Sequence, residues 1–137
     1  MDISQAFAAL NGRFVDTVNS HDTRSWAALF AEDAILIPAG QGAVAGRKGI
    51  EEWAEVATKV WNRLDIQQGA CTSDGDVAWE FGTWTGNINV PDERTMNIGG
   101  NFLLIAQKEG STLRIKSAHV ERESHDALTS CIPITPT

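Results

Sequence analysis

The chain has 137 residues, the size of a single domain. It carries 18 acidic against 11 basic residues, a formal net charge of −7, which argues against a nucleic-acid partner because phosphate backbones are bound by clustered Lys and Arg. No run approaches the roughly 20 apolar residues that a bilayer-spanning helix needs, and no basic segment precedes an apolar stretch at the N-terminus. We therefore expect neither nucleic acid nor a membrane as a partner.

The sequence does not contain the residue spacings of a metal site, a disulfide framework or a nucleotide-binding loop. The two cysteines, Cys71 and Cys131, are too few for a disulfide framework. The three histidines lack the tight spacing of a metal site. The segment GQGAVAG does not match the G-x-G-x-x-G dinucleotide fingerprint. The sequence thus predicts a cytoplasmic protein that uses no metal and no cofactor.

The first part of the chain has the apolar spacing of helices. Apolar residues recur at steps of three or four from Ile3 to Val18, which predicts one amphipathic helix. Asp22 or Thr23 can cap a second, short helix. The segment AILI, stopped by Pro38, predicts a buried strand, and a glycine-rich loop follows. A third amphipathic helix is predicted over residues 47–64.

The apolar period then changes from about 3.6 to about 2. Strands are predicted over residues 65–73, 77–87, 96–108 and 113–122. Helices followed by an antiparallel meander indicate the α+β class. We expect one domain over residues 1–125 and a loose C-terminal tail over residues 126–137.

The strand predicted over residues 77–87 is apolar on both faces. One face presents Val77, Trp79, Phe81 and Thr83, and the other presents Ala78, Glu80, Gly82 and Trp84. The sequence does not say which face is concave. Since three helices cover only one face of such a sheet, we expect a second copy of the chain to cover the other and form a homodimer. The alternative is a monomer with an exposed apolar sheet face.

Residues 12–53 resemble the opening of the SnoaL-like and ketosteroid-isomerase-like proteins of the nuclear-transport-factor-2-like superfamily. A helix ends in a polar turn and is followed by FAEDAILIP, a glycine loop and GRKGIEEW. The segments GDVAWEFGTWTG and NFLLIAQKEGSTLRIKSAHVE resemble the family's central strand and final hairpin. The resemblance implies a cone-shaped, curved and mostly antiparallel sheet wrapped around three N-terminal helices. It is specific for fold and weak for activity, because this fold hosts many functions.

Two positions depart from the isomerase pattern. The resemblance places Phe14 where the isomerases have an oxyanion-binding tyrosine, and Ile37 where they have the catalytic aspartate. Phenylalanine cannot donate a hydrogen bond to an oxyanion, and isoleucine cannot abstract a proton. Authentic ketosteroid isomerisation is therefore not expected.

His119 and Glu80 are the candidate catalytic residues. Strand alternation predicts that His119 shares an inward face with Leu113, Ile115 and Ser117, where its imidazole could act as acid or base; a structural histidine is the alternative. If Glu80 lies on the concave face, burial should raise its pKa to suit a general base. On the outer face it would be an interface or rim residue.

The candidate ligand-binding residues are Phe14, Trp53, Trp84 and Asn101. Aromatic side chains commonly line apolar pockets, and Asn101 could supply an amide or tether the backbone. The favoured hypothesis is that the protein binds a small, largely apolar molecule and catalyses cofactor-independent isomerisation, dehydration or cyclisation. The alternatives are a non-catalytic carrier or sensor, and a dimerisation module with a closed interior.

Overall fold

A computed structural model describes residues 1–123 as three helices and seven strands. The helices are α1 (Ile3–Asn19), α2 (Thr23–Ala27) and α3 (Arg47–Ala57). The strands are β1 (Phe30–Ile37), β2 (Val44–Ala45), β3 (Trp61–Gln67), β4 (Cys71–Asp74), β5 (Val77–Val90), β6 (Arg94–Glu109) and β7 (Thr112–Val120). The predicted α+β class is confirmed. The predicted tail at 126–137 and the domain end at 125 lie outside the described residues.

Side-chain caps fix the starts of the first two helices. The Asp2 carboxylate accepts a hydrogen bond from the backbone N–H of Gln5 at 3.2 Å and begins α1. Asp22, one of the two predicted caps, accepts from the N–H of Ser25 at 3.1 Å and begins α2. At the end of α1, the Asn19 amide both accepts from the Leu64 N–H and donates to the Leu64 carbonyl, which ties the helix to β3.

The third helix is shorter than predicted. It ends at Ala57, a short 3₁₀ turn follows, and Trp61 begins β3. The predicted helix over 47–64 is therefore wrong beyond residue 57. The register of β3 against β5 shifts between Trp61 and Arg63, which inserts one extra residue. Trp61 and Leu64 consequently face the same side of the sheet although they are three residues apart, a spacing that imitates a helix.

The strands form one sheet in the order β2-β1-β7-β6-β5-β3, with β4 paired to β5 beside β3. All neighbours are antiparallel except β1 and β7. Helix α1 packs against β3, β4 and β7, while α3 packs against β1 and β2. On β5, Ala78, Glu80, Gly82 and Trp84 are buried and their neighbours are exposed. This set is the inner face of the sheet.

The predicted inward orientation of His119 is wrong. Leu113 and Ile115 are buried on the inner face, as expected. The register between β6 and β7 then shifts, and Lys116 becomes the extra residue of a β-bulge. Because one added residue reverses strand alternation, Ala118 is buried next and His119 is exposed on the outer face.

Candidate functional site: an apolar cavity inside the sheet

A cavity of about 330 Å³ lies between the inner face of the sheet and the helices. This volume is at the lower end of the range found for small-molecule sites. The wall is formed by Phe14, Val18, Trp26, Leu36, Pro38, Ala39, Gln41, Trp53, Ala57, Thr58, Val60, Trp61, Leu64, Ile66, Trp84, Ile98, Phe102, Leu104, Ala118, Val120 and Arg122. Most of these side chains are aliphatic or aromatic, so the space suits an apolar molecule.

Tryptophans from four elements form much of this wall. The rings of Trp61 and Trp84 lie 5.8 Å apart between centroids, and those of Trp26 and Trp53 lie 6.3 Å apart. The Trp61 ring occupies the space above Gly86, where any Cβ atom would collide with it. Phe14 packs edge-on against Trp26 at 5.5 Å. The structure therefore places three predicted ligand-binding residues, Phe14, Trp53 and Trp84, on the cavity wall.

Several polar groups of the wall are already hydrogen-bonded within the protein. The indole N–H of Trp84 donates to the Glu121 carbonyl at 3.0 Å, and that of Trp53 donates to Gln41 Oε1 at 3.0 Å. The Thr58 hydroxyl donates to a backbone carbonyl of α3. The indole N–H of Trp26 is buried and has no hydrogen-bond partner within residues 1–123.

Glu80 is fully buried under helix α1. Its Oε2 accepts a hydrogen bond from Nδ2 of Asn11 at 2.9 Å, a contact between groups 69 residues apart in the chain. Burial raises the pKa of Glu80 from its ordinary value of 4.5 to about 7, and the bond from Asn11 opposes this rise only in part. Of the two positions that the sequence left open for Glu80, the structure has the concave one, and burial raises the pKa there.

Glu80 is not part of the cavity wall. It lies on the inner face four residues before Trp84, about 13 Å along the strand. Glu80 Oε1 and Asn11 Oδ1 are buried acceptors without a partner among the described residues. A protonated Glu80 carries a donor that an acceptor-only carboxylate lacks, so two unpartnered acceptors on this hydrogen-bonded pair favour the neutral acid. The carboxyl group supports the packing of α1 and does not touch the cavity.

His119 and Asn101 lie outside the cavity. His119 is opposite Leu103 on the outer face of the sheet. Asn101 is exposed on the same face, and its backbone carbonyl accepts a hydrogen bond from the Glu121 N–H at 2.9 Å. Of the predicted site residues, these two and Glu80 are therefore not brought together with Phe14, Trp53 and Trp84. At the position compared with the isomerase base, Ile37 pairs with His119 and its neighbour Leu36 lines the cavity.

Three residues in or near the site were not predicted. Trp61 was assigned to a helix, and its place on the wall depends on the β3 bulge. Asn11 is a polar residue inside the apolar stripe of α1, between Leu10 and Phe14, which was the available signal. Arg122 was missed because alternation along the predicted strand 113–122 assigns it to the outer face, and the bulge at Lys116 reverses this.

Within residues 1–123, no group of three or more His, Cys, Asp and Glu residues is arranged to hold a metal ion. None of the described helices is both long and apolar enough to span a membrane.

The raised pKa of Glu80 predicts a specific pH dependence of stability. The unfolded chain loses this proton near pH 4.5 and the folded chain near pH 7, so the stabilisation is complete below pH 4.5 and is lost as pH rises through 7. Glu80→Gln keeps the acceptor for Asn11 Nδ2 without a charge, and its N–H₂ group supplies a donor in place of the acid proton. We expect it to raise the free energy of unfolding at pH 8, relative to wild type, by up to about 3 kcal/mol.

Urea unfolding between pH 4 and pH 8 measures this effect. The matched control is Glu32→Gln, the same change at an exposed glutamate of β1, which should keep the wild-type pH profile. Equal pH profiles for wild type and Glu80→Gln would contradict the assignment of a neutral, buried acid.

The sequence of this chain matches a family model, and its fold is similar to solved structures. A search of curated protein sequences gives no significant match. A ketosteroid isomerase-like protein from Erwinia carotovora atroseptica superposes with a TM-score of 0.78 at 13% identity, over 88% of this chain and 95% of that chain. A function-unknown protein from Mycobacterium tuberculosis superposes with a TM-score of 0.75 at 22% identity, over 92% of this chain and 75% of that one.

A third solved structure has a similar fold. An NTF2-like protein with a cystatin-like fold from Novosphingobium aromaticivorans superposes with a TM-score of 0.74 at 14% identity, over 96% of this chain and 89% of that chain. At such identities these three likenesses show the fold alone. The model of the SnoaL-like domain matches residues 12–120, most of the chain. The predicted cone of the NTF2-like superfamily is confirmed, and the chain belongs to the SnoaL-like domain family.

Proposed function

We propose that this protein binds a small apolar molecule in its cavity as a carrier or sensor. The supporting observation is the cavity wall itself. Within residues 1–123 it contains no Asp, Glu, His, Cys or Lys, so the described wall offers no ordinary acid or base for proton transfer. Burial of apolar surface is then the main source of affinity.

Proton-transfer chemistry is the second candidate function, and Glu80 is the residue that favours it. A pKa near 7 suits a general acid or base. Against this role, the carboxyl group is bonded to Asn11 and lies outside the cavity wall. The two functions differ in one outcome: a carrier keeps its ligand unchanged on prolonged incubation, whereas an enzyme converts it.

A bulky side chain placed in the cavity should weaken the binding of a neutral apolar probe. N-phenyl-1-naphthylamine becomes more fluorescent in apolar surroundings, and we expect wild type to bind it with a dissociation constant on the order of 10 µM, typical of a ligand of its size. Ala39 lies in the loop after β1 and lines the cavity. Ala39→Trp fills space at this edge and should weaken binding at least tenfold.

The control is Ala43→Trp, the same change at an exposed position of the same loop that does not line the cavity. It should bind the probe like wild type. If both variants and wild type bind equally, the probe is held elsewhere and the proposed cavity function fails.

We also propose that the outer face of the sheet is covered by a second copy of this chain. The apolar residues Trp79, Phe81, Leu103 and Ile105 are 37–57% exposed there and lie on adjacent strands. No charged side chain interrupts these four, although the chain carries a net charge of −7. An uncharged patch forms no ion pairs with a charged partner. It can instead pack against the same patch of a second copy in a two-fold contact.

A charge placed in this patch should separate the two copies. Phe81 is 57% exposed, and Phe81→Glu should reduce the mass measured by light scattering from that of two chains to that of one, because the contact would then bury an unpaired charge on each copy. Val56→Glu is the control, since Val56 is 71% exposed on α3 and away from the patch. A wild-type protein with the mass of one chain at 100 µM would overturn the proposed dimer.

A further inference from the structure

Among the residues that the structure describes, Arg122 is the only charged one that lines the cavity. Ala118, Val120 and Arg122 occupy alternate positions and all contact the cavity, so the inward face of β7 continues past the end of the strand. Glu123 lies instead in a groove on the opposite face. The arginine is exposed to solvent and therefore lies at the rim of the cavity.

Backbone hydrogen bonds hold this arginine in place. The N–H of Glu121 donates to the Asn101 carbonyl at 2.9 Å, and the N–H of Glu123 donates to the Gly99 carbonyl at 2.7 Å. The two bonds continue the pairing with β6 on either side of Arg122. Gly100 makes this close pairing possible, because a Cβ atom there would collide with the Glu121 carbonyl.

The polar side-chain groups of the wall that lack a partner are donors. The guanidinium of Arg122 makes no ion pair and no hydrogen bond with any residue of the range 1–123. The Trp26 N–H has no partner in that range either. The amide oxygen of Gln41 is taken by Trp53, which leaves its N–H₂ group. A ligand that complements such a wall carries an acceptor on an apolar body.

We propose that the ligand is an apolar carboxylic acid whose carboxylate binds Arg122 at the rim of the cavity. This inference rests on the proposed binding function. A guanidinium can bind a carboxylate through two parallel hydrogen bonds, which fixes the orientation of the ligand. The apolar body then lies among the aromatic side chains, and the charged group stays near water, where its desolvation costs least.

The matched probes 2-naphthoic acid and methyl 2-naphthoate separate this inference from the proposed function. They share one apolar body and differ in charge. We expect wild type to bind the acid about fivefold more tightly than the ester, the gain of a partly exposed ion pair. The preference should shrink as salt is added, since salt screens exposed charges.

Arg122→Gln should reverse the preference, because the net negative charge of the chain then opposes the acid. Ester binding should weaken less than acid binding, because the ester presents no charge to the guanidinium. Arg13→Gln makes the same change in net charge on the exposed side of α1 and should keep the fivefold preference. Tryptophan fluorescence titration measures all three proteins.

The outcomes separate cleanly. If wild type binds neither probe, the apolar binding function fails together with the inference that rests on it. If the ester binds and the acid binds equally or more weakly, the cavity function stands and the role of Arg122 is overturned. Equal loss of acid binding in both arginine variants would also overturn it, because the effect would then come from net charge alone.

Discussion

The backbone ladder between β5 and β6 is the constraint on which the rest of the structure depends. It pairs residues without interruption from Val77 with Gln107 to Val90 with Arg94. Because side chains alternate between faces, this single register sends Trp84, Phe102 and Leu104 to the cavity and sends Phe81 to the outer face. A slip of one residue would exchange the two faces. The cavity and the outer apolar patch are thus two results of one pairing.

Two ionisable groups are separated along the inner side of this sheet. Glu80 is buried among packed residues, where the low dielectric favours its neutral form and Asn11 holds it against α1. Arg122 lies at the exposed rim, where a charge is tolerated. The buried acid therefore serves the packing of the protein, whereas the exposed cation is available to a ligand. The two residues differ in role mainly because Glu80 is buried and Arg122 is exposed.

The sequence predicted the first two helices, the start of the third, the α+β class and three aromatic residues of the wall, because these follow from periodicity and from a family resemblance. It failed where a bulge breaks the period. One extra residue near Trp61 made a strand look like a helix, and another at Lys116 turned His119 outward. The contact between Asn11 and Glu80 spans 69 residues, and no local pattern predicts such a pairing.

The central claim is that an apolar molecule binds inside the sheet and not on its outer face. The indole N–H resonances of the five tryptophans test it directly, because Trp26, Trp53, Trp61 and Trp84 line the cavity while Trp79 lies on the outer face. Titration with methyl 2-naphthoate in a two-dimensional NMR experiment should shift resonances of the four cavity indoles and leave that of Trp79 unchanged. A shift of Trp79 alone, or of none of the five, would contradict the account.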